Sequence, residues 1–251
     1  MKKDFIVVTP DSGTGNATIT IAAEQNTGDA RTSQLTISGG GMNRTINVSQ
    51  EDNSYDPETA PDGVYIAHTN GRLYPRDMWK TSENSKAVGV GVKTSNCSFI
   101  IAPDEKNSIQ WGGYGTLING CTTDTDSAVA IKDYRGKANT DAIIAQLGTT
   151  DEYVGNWCRK YAFKNGKYGY LPSEGELYEA YKNKAEVDAC MALIGGIPLY
   201  DSSVNNYWKW SSTQSNAYFA WGLDWSNGYM NYYSKDDSST DVCTRPFAAL
   251  L

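Results

Sequence analysis

The chain has 251 residues, 29 acidic against 22 basic ones and a net charge of −7, with both signs dispersed along its length. No basic patch of the kind that neutralises phosphates is present, which excludes nucleic acid as the expected partner, and no apolar run reaches the length of a membrane span. The length suffices for one large domain or two smaller ones with a full core. The opening MKKDFIVV is basic, but its apolar stretch from Phe5 to Val8 is far too short for a signal peptide.

Residues 4–50 read as β structure. DFIVV, ATITIAA, SQLTI and RTINVS carry β-branched residues in near alternation, separated by the turn-rich stretches TPDSGTGN, EQNTGDART and SGGGMN. Alternation sets Ile19 with Ile21, Leu35 with Ile37, and Ile46 with Val48 on strand faces. So few strands leave edges and an apolar face open, so the module is expected to pack on a neighbour, as in a homo-oligomer, or to lack upstream strands. The Ser12–Gly15 turn, the Asn26–Thr27 turn, Arg31 and the closing Val48–Gln50 resemble the latter half of a BACON-type immunoglobulin-like domain. That resemblance implies a partial all-β sandwich. The segment has no aromatic platform, which favours a spacer or assembly role over sugar binding.

Residues 51–61 (EDNSYDPETAP) are polar and turn-rich and read as a linker. A hairpin follows in DGVYIAHTNGRLY, with Asn70–Gly71 as the type I′ turn dipeptide, and AVGVGVKT and CSFIIAP are further strands. A helix near 140–148 is capped by Asn139–Thr140, and a second starts at Thr150 through Tyr153, Trp157 and Tyr161. The third, near 173–185, has the clearest start: Ser173 followed by Glu176 forms a capping box. Strands, helices and strands again predict an α+β domain over residues 62–251.

Catalytic chemistry is hard to assemble. His68 is the single histidine and sits beside a turn, so it reads as a surface residue. Glu174 and Glu176 do not share a helix face, and the helix dipole accounts for acids in a first turn. The five cysteines, Cys97, Cys121, Cys158, Cys190 and Cys243, form no CxxC pair and read as buried free thiols, with one disulfide at Cys243 left open. Neither a metal site nor a cofactor is expected.

The C-terminal stretch 210–246 is the most informative part of the chain. Trp210, Trp221, Trp225, Met230, Lys235 and Arg245 form a scaffold set of large or anchoring residues. Between them stand Asn216, Tyr218, Phe219, Asp224, Tyr229, Asn231, Tyr232, Tyr233, Ser234, Asp236, Asp237, Ser239 and Asp241, the alphabet of antibody paratopes. These are the candidate ligand-binding residues, and the reading requires them to share an accessible face. A Tyr-rich hairpin without a ligand would have a similar composition.

GKANTDAII, NWCRKY, YGYLPSEGEL, YWKWSST and the terminal V-x-x-R-P (242–246) occur in that order. Together they resemble the C-type lectin-like variable proteins of diversity-generating retroelements, distantly like phage tropism determinants, over residues 62–251. The resemblance implies a C-type lectin-like α+β fold of the formylglycine-generating-enzyme-like subclass, with a variable region at about 214–241. It also implies a non-enzymatic binding protein on a phage tail or bacterial surface, whose ligand is a host or cell-surface protein or glycan. Adenine mutagenesis of Asn codons reaches every candidate binding residue but not Trp, Met, Lys, Gln or Glu. Trp210, Gln214, Trp221, Trp225, Met230 and Lys235 are therefore fixed under that reading. Cys243–Thr244 stand where the usual ending is Val-Arg-Pro. The rival readings are an oxidase of the related fold, which needs a cysteine pair near the C-terminus where this chain has only Cys243, and a structural spacer.

Overall fold

The computed structural model describes residues 2–24, 26, 30–203 and 206–250. The chain divides into two compact units, Met1–Ser54 and Tyr55–Leu251, the second of which carries the helices. It is thus an α+β protein with a small all-β module at its N-terminus.

Among the described residues the first unit has five strands: β1 (Lys2–Lys3), β2 (Ile6–Thr9), β3 (Thr20–Ala23), β4 (Arg31–Gly39) and β5 (Met42–Gln50). β1, β2 and β3 form one antiparallel sheet, and β4 and β5 form a two-stranded ribbon closed by Gly40–Gly41, both at positive φ as a type I′ turn requires. Phe5, Ile6, Val8 and Leu35 are its buried core, with Ile19, Ile21 and Val48 packed against them. The Arg31 guanidinium lies 4.4 Å from the Phe5 ring centroid, and its Nε donates to Gln50 at 2.9 Å, which ties together two positions of the sequence pattern. Ile37 and Ile46, expected on buried faces, are exposed, as is Met42. Ile46 opposes the buried Leu35 at mid-ribbon, and Ile37 and Met42, nearer the Gly40–Gly41 turn, border an open cleft with Val8 and Ile19. Thr27, of the expected Asn26–Thr27 turn, lies outside the described residues.

The second unit begins at Tyr55, whose backbone pairs with Leu73, so part of the segment read as a linker is ordered against this unit. Its first strands are β6 (Gly63–His68), β7 (Leu73–Tyr74), β8 (Ala87–Lys93), β9 (Ser98–Ile101) and β10 (Lys106–Asn107). Helices α1 (Ser127–Ala130), α2 (Gly136–Leu147), α3 (Val154–Lys160), α4 (Glu174–Lys182) and α5 (Lys184–Leu193) follow. The chain closes with β11 (Trp208–Gln214), β12 (Phe219–Asp224), β13 (Met230–Ser234), β14 (Val242–Thr244) and β15 (Phe247–Ala249). One five-stranded sheet has the order β15-β9-β8-β6-β7 and the other β10-β14-β11-β12-β13. Arg245–Pro246 carries the chain from β14 in one sheet to β15 in the other.

Several local expectations shift. The β6–β7 connection is not a type I′ turn: Gly71 has φ +84° but Asn70 does not share the positive sign, and His68 N donates to Arg72 O across a longer loop. Asn139 and Thr140 do not cap α2 but lie buried inside it, where Asn139 donates to Asp133 at 2.7 Å and Thr140 accepts from Leu171 N at 2.9 Å. The helix expected over 173–185 is two helices, parted at Asn183, whose side chain donates to Glu179 O at 2.9 Å. The Ser173–Glu176 capping box forms, with Ser173 N donating to the Glu176 carboxylate at 2.8 Å.

The core lies in layers. Phe99 and Phe247 stack at 4.5 Å between strands of the first sheet and pack with Leu177, Val187 and Met191 of α4 and α5 and with Leu223 and Trp225. On the other side of β11 and β12, Trp208, Trp210 and Ala220 pack with Trp111, Ile143 and Val154. Both faces of the second sheet are therefore covered near its centre, and β13 forms its edge.

Candidate binding edge of the second sheet

Three buried tryptophans in the floor of this edge are hydrogen-bonded. Trp210 Nε1 donates to Ile109 O at 3.0 Å, Trp221 Nε1 to Asp124 O at 2.8 Å, and Trp225 Nε1 to Asp188 at 3.0 Å, and all three rings are buried. Lys235 is buried as well: its Nζ donates to Thr116 O and Gln214 Oε1 and lies 4.4 Å from the Trp111 ring centroid. Burial lowers its pKa to about 8. Gln214 is buried and bonds Ile118 and Thr123 from its other positions. Met230 is half-buried at the rim of the core.

Glu105, Lys209 and Arg245 anchor the C-terminal motif. The Glu105 carboxylate takes Lys209 Nζ at 2.6 Å and Arg245 Nη2 at 3.0 Å, with all three side chains about 1 % exposed. Burial works against its charge, but the two cations outweigh burial and hold its pKa below the ordinary value. Cys243 sits beside this triad, with Sγ 3.0 Å from Lys209 Nζ. The two extra residues before Arg245 are thus part of strand β14, and Arg245 still reaches the buried carboxylate. Glu105 and Lys209 escaped sequence reasoning because a lone charged residue in a loop or strand carries no pairing signal.

The candidate binding residues all retain solvent exposure, with Tyr218 at 50 %, Tyr229 at 60 %, Tyr232 at 40 % and Phe219 at 36 %. They do not share one face, so the single accessible face expected from the sequence is corrected to a strand edge with two exposed sides. Directly opposed residues of an antiparallel pair point to the same side. Phe219 opposes Ser234 and Trp221 opposes Tyr232, whereas Ala220 opposes Tyr233 and Gly222 opposes Asn231. Phe219, Tyr232 and Ser234 therefore lie on the Trp221 side, where Tyr232 meets Trp221 edge to face at 5.1 Å. Asn231 and Tyr233 lie on the other side with Asp224, which opposes Trp208, and the Tyr233 ring is 4.4 Å from Trp208. The period of two along β13 makes this split unavoidable for adjacent residues such as Tyr232 and Tyr233.

The flanking turns are held by their own polar side chains. Asn216 accepts from Tyr218 N and Phe219 N, Asp224 from Ser226 N and Oγ, and Asp237 from Ser239 N and Oγ. Tyr207, which sequence reasoning passed over, donates its hydroxyl to Asp241 at 2.8 Å, and this bond pushes its pKa up to about 12. Tyr114 is a second such residue, half exposed and edge to face with Tyr218 at 5.2 Å.

The chemical groups weighed for catalysis are placed elsewhere. His68 is caged rather than freely exposed, with its ring between Tyr74 and Trp79, Nδ1 accepting from Asn70 N and Nε2 3.6 Å from Glu83. The five cysteines are free, and burial pushes each thiol up to about 12. Glu174 and Glu176 stand in the first turn of α4, as read from the sequence, with Glu176 closing the capping box. Both are buried, and neither oxygen of Glu174 has a hydrogen-bond partner. Among the described residues no group of His, Cys, Asp or Glu is arranged to hold a metal, and no helix is long and apolar enough to cross a membrane.

Residues 2–51 match the BACON family model, described as "Putative binding domain, N-terminal", so an N-terminal BACON-like domain is present. No curated protein matches the chain. A solved structure, that of a fimbrial protein from Bacteroides ovatus ATCC 8483, is similar with a TM-score of 0.45 at 9 % identity, over 90 % of this chain. The chain spans 58 % of that protein.

Proposed function

We propose that the second unit is a non-enzymatic ligand-binding domain of C-type lectin-like form, acting as a surface adhesin or phage tropism determinant. Its β12–β13 edge and flanking turns are the diversified surface. One observation carries this reading. Within a single short segment, Trp210, Gln214, Trp221, Trp225 and Lys235 are buried, while each of the thirteen candidate binding residues named above keeps exposure. A segment built this way changes its surface without disturbing its support. The ligand meets an edge rather than a flat face, so it contacts the Tyr232 side, the Tyr233 side or both.

The oxidase reading has less support, because an attacking cysteine must be a reachable thiolate. Cys243 is fully buried, protonated by that burial, and donates to Trp208 O at 2.9 Å.

The test is to sequence the coding segment for residues 205–246 from many isolates, together with its genomic neighbourhood. Substitutions confined to the exposed positions, beside a reverse-transcriptase gene and a template repeat, are expected. Equal variation at Trp221, Gln214 and Lys235 would refute the proposal.

A further inference from the structure

Resting on that ligand-binding reading, we propose that the Tyr233 side of the edge is a subsite for a cationic side chain, the arginine or lysine of a partner protein. Asp224 opposes Trp208, and Asp241 accepts from Trp208 N at 3.2 Å through its main-chain carbonyl and from the Tyr207 hydroxyl at 2.8 Å through its carboxylate, so both stand beside the Tyr233 ring, which lies 4.4 Å from Trp208. Burial first, then the carboxylates of Asp241, Asp224 and Asp237, push the Tyr233 phenol above its ordinary pKa. Their hydrogen bonds come from Ser226, Asn227, Ser239 and the Tyr207 hydroxyl, and none of the three has an ion-pair partner among the described residues. The two lysines nearest in sequence are withdrawn: Lys209 is bound to Glu105, and Lys235 is buried beneath Trp111. The patch therefore keeps its negative charge. Tyr207, bonded to Asp241, and Tyr233, packed on Trp208, border it, and the exposed Tyr229 immediately precedes Met230 at the start of β13, so aromatic rings that attract a cation are at hand.

A second observation points to a ligand independently. Trp208 is buried, and its Nε1 donor has no acceptor. The indole crosses β12 over Gly222, where an added Cβ would lie 2.8 Å from Nε1, and ends against Tyr233. The unsatisfied N–H is therefore on the same side of the sheet as Asp224 and Asn231. A protein segment supplies both missing partners, with a cation for the carboxylates and a main-chain carbonyl for the indole once Tyr233 swings aside. Arginine suits the site best, since its planar head pairs with carboxylates and stacks on rings.

The experiment titrates the full chain at physiological salt with the blocked peptide Gly-Gly-Arg-Gly-Gly, its lysine and citrulline counterparts, and choline. We expect the arginine peptide to bind at least tenfold more tightly than the neutral citrulline peptide. Asp224→Asn with Asp241→Asn keeps the turn acceptors and should abolish that preference, and Tyr233→Ala should weaken binding severalfold. Asp62→Asn with Asp77→Asn, remote exposed acids, should leave it unchanged. Equal binding of arginine and citrulline peptides, no binding of the arginine peptide at millimolar concentration, or an unaltered preference in the Asp224/Asp241 variant would overturn the subsite. Choline binding as tightly as the arginine peptide would overturn the assignment to a protein side chain. The population sequencing above reads the diversified surface without any ligand, so either reading fails on its own evidence.

Discussion

Arg245 and Glu105 form a buried ion pair, Nη2 to Oε2 at 3.0 Å, across 140 residues of sequence. The same carboxylate holds Lys209 of β11, so one acid ties the C-terminal passage between the sheets to the strand that supports the candidate edge. Removing one partner of such a group leaves uncompensated charge in the interior, which costs about 3–5 kcal/mol. Glu105→Ala is expected to lose that much in urea denaturation. Arg76→Ala, which breaks the exposed pair with Glu186, is expected to lose less than about 1 kcal/mol. Equal losses would show that the triad does not hold the C-terminal motif.

Trp221 and Tyr232 touch but do different work. Trp221 is 3 % exposed and bonded to Asp124 O, while Tyr232 is 40 % exposed. Trp221→Ala is expected to destabilise the domain by about 3–5 kcal/mol, the cost of truncating a buried Trp. Tyr232→Ala loses its ring contacts with Trp221 and Phe219, about 0.5–1.5 kcal/mol each, and as an anchor it weakens ligand binding by about 2 kcal/mol or more. Thermal melts of the two variants decide which residue supports and which is displayed. A stable Trp221 variant beside a collapsed Tyr232 variant would reverse the roles.

Gly222 marks where the Trp208 indole crosses the sheet. An added Cβ would stand 2.6 Å from Lys209 O and 2.8 Å from Trp208 Nε1, and neither the backbone nor the buried ring can easily yield. Gly222→Ala is expected to cost about 1–3 kcal/mol through overpacking and to shift tryptophan fluorescence. Wild-type stability with an unchanged spectrum would mean that the indole does not occupy this position.

How much of this was legible beforehand follows from the range of each interaction. The Ser173–Glu176 box is local, three residues long, and formed where the pattern placed it. The strands at 63–68, 87–93 and 98–101 were legible from their β-branched runs, but the break at Asn183 was not, because either helix alone continues the same apolar spacing. In the segment 210–245, large residues and the Tyr/Asn/Asp/Ser set differ in burial, with half-buried Met230 between them. The division of the exposed set between two sides of β13 follows from its pairing with β12, which composition does not reveal. Glu105 and Tyr207 were illegible, since each acquires its role from a residue far along the chain or from a turn that closes only in the fold.

Glu174 gives the chain a pH dependence of known sign. Its carboxyl is fully buried and without a hydrogen-bond partner. Its pKa rises from 4.5 to about 8, chiefly by burial; the nearby Ser211 hydroxyl, which donates to Trp221 O, offsets this only in part, and Asp133 adds to it. Between those values the unfolded chain has released a proton that the folded chain keeps. Stability must therefore fall as pH rises from about 4.5 to about 8, by at most about 1.4 kcal/mol per pH unit for one group. Glu176, raised to about 7, adds a parallel fall that ends sooner, and Lys235, lowered to about 8, acts in the opposite direction mainly above that pH. Between pH 7 and 8 the tail of the Glu176 fall and the onset of the Lys235 rise oppose each other, and the comparison of wild type with Glu174→Gln isolates Glu174. Urea midpoints of the wild type are expected to drop across this interval, while those of Glu174→Gln stay nearly level, so that the variant gains on the wild type as pH rises. Two parallel curves would mean that the buried carboxyl is already ionised, and so has a proton donor or cation beside it in solution.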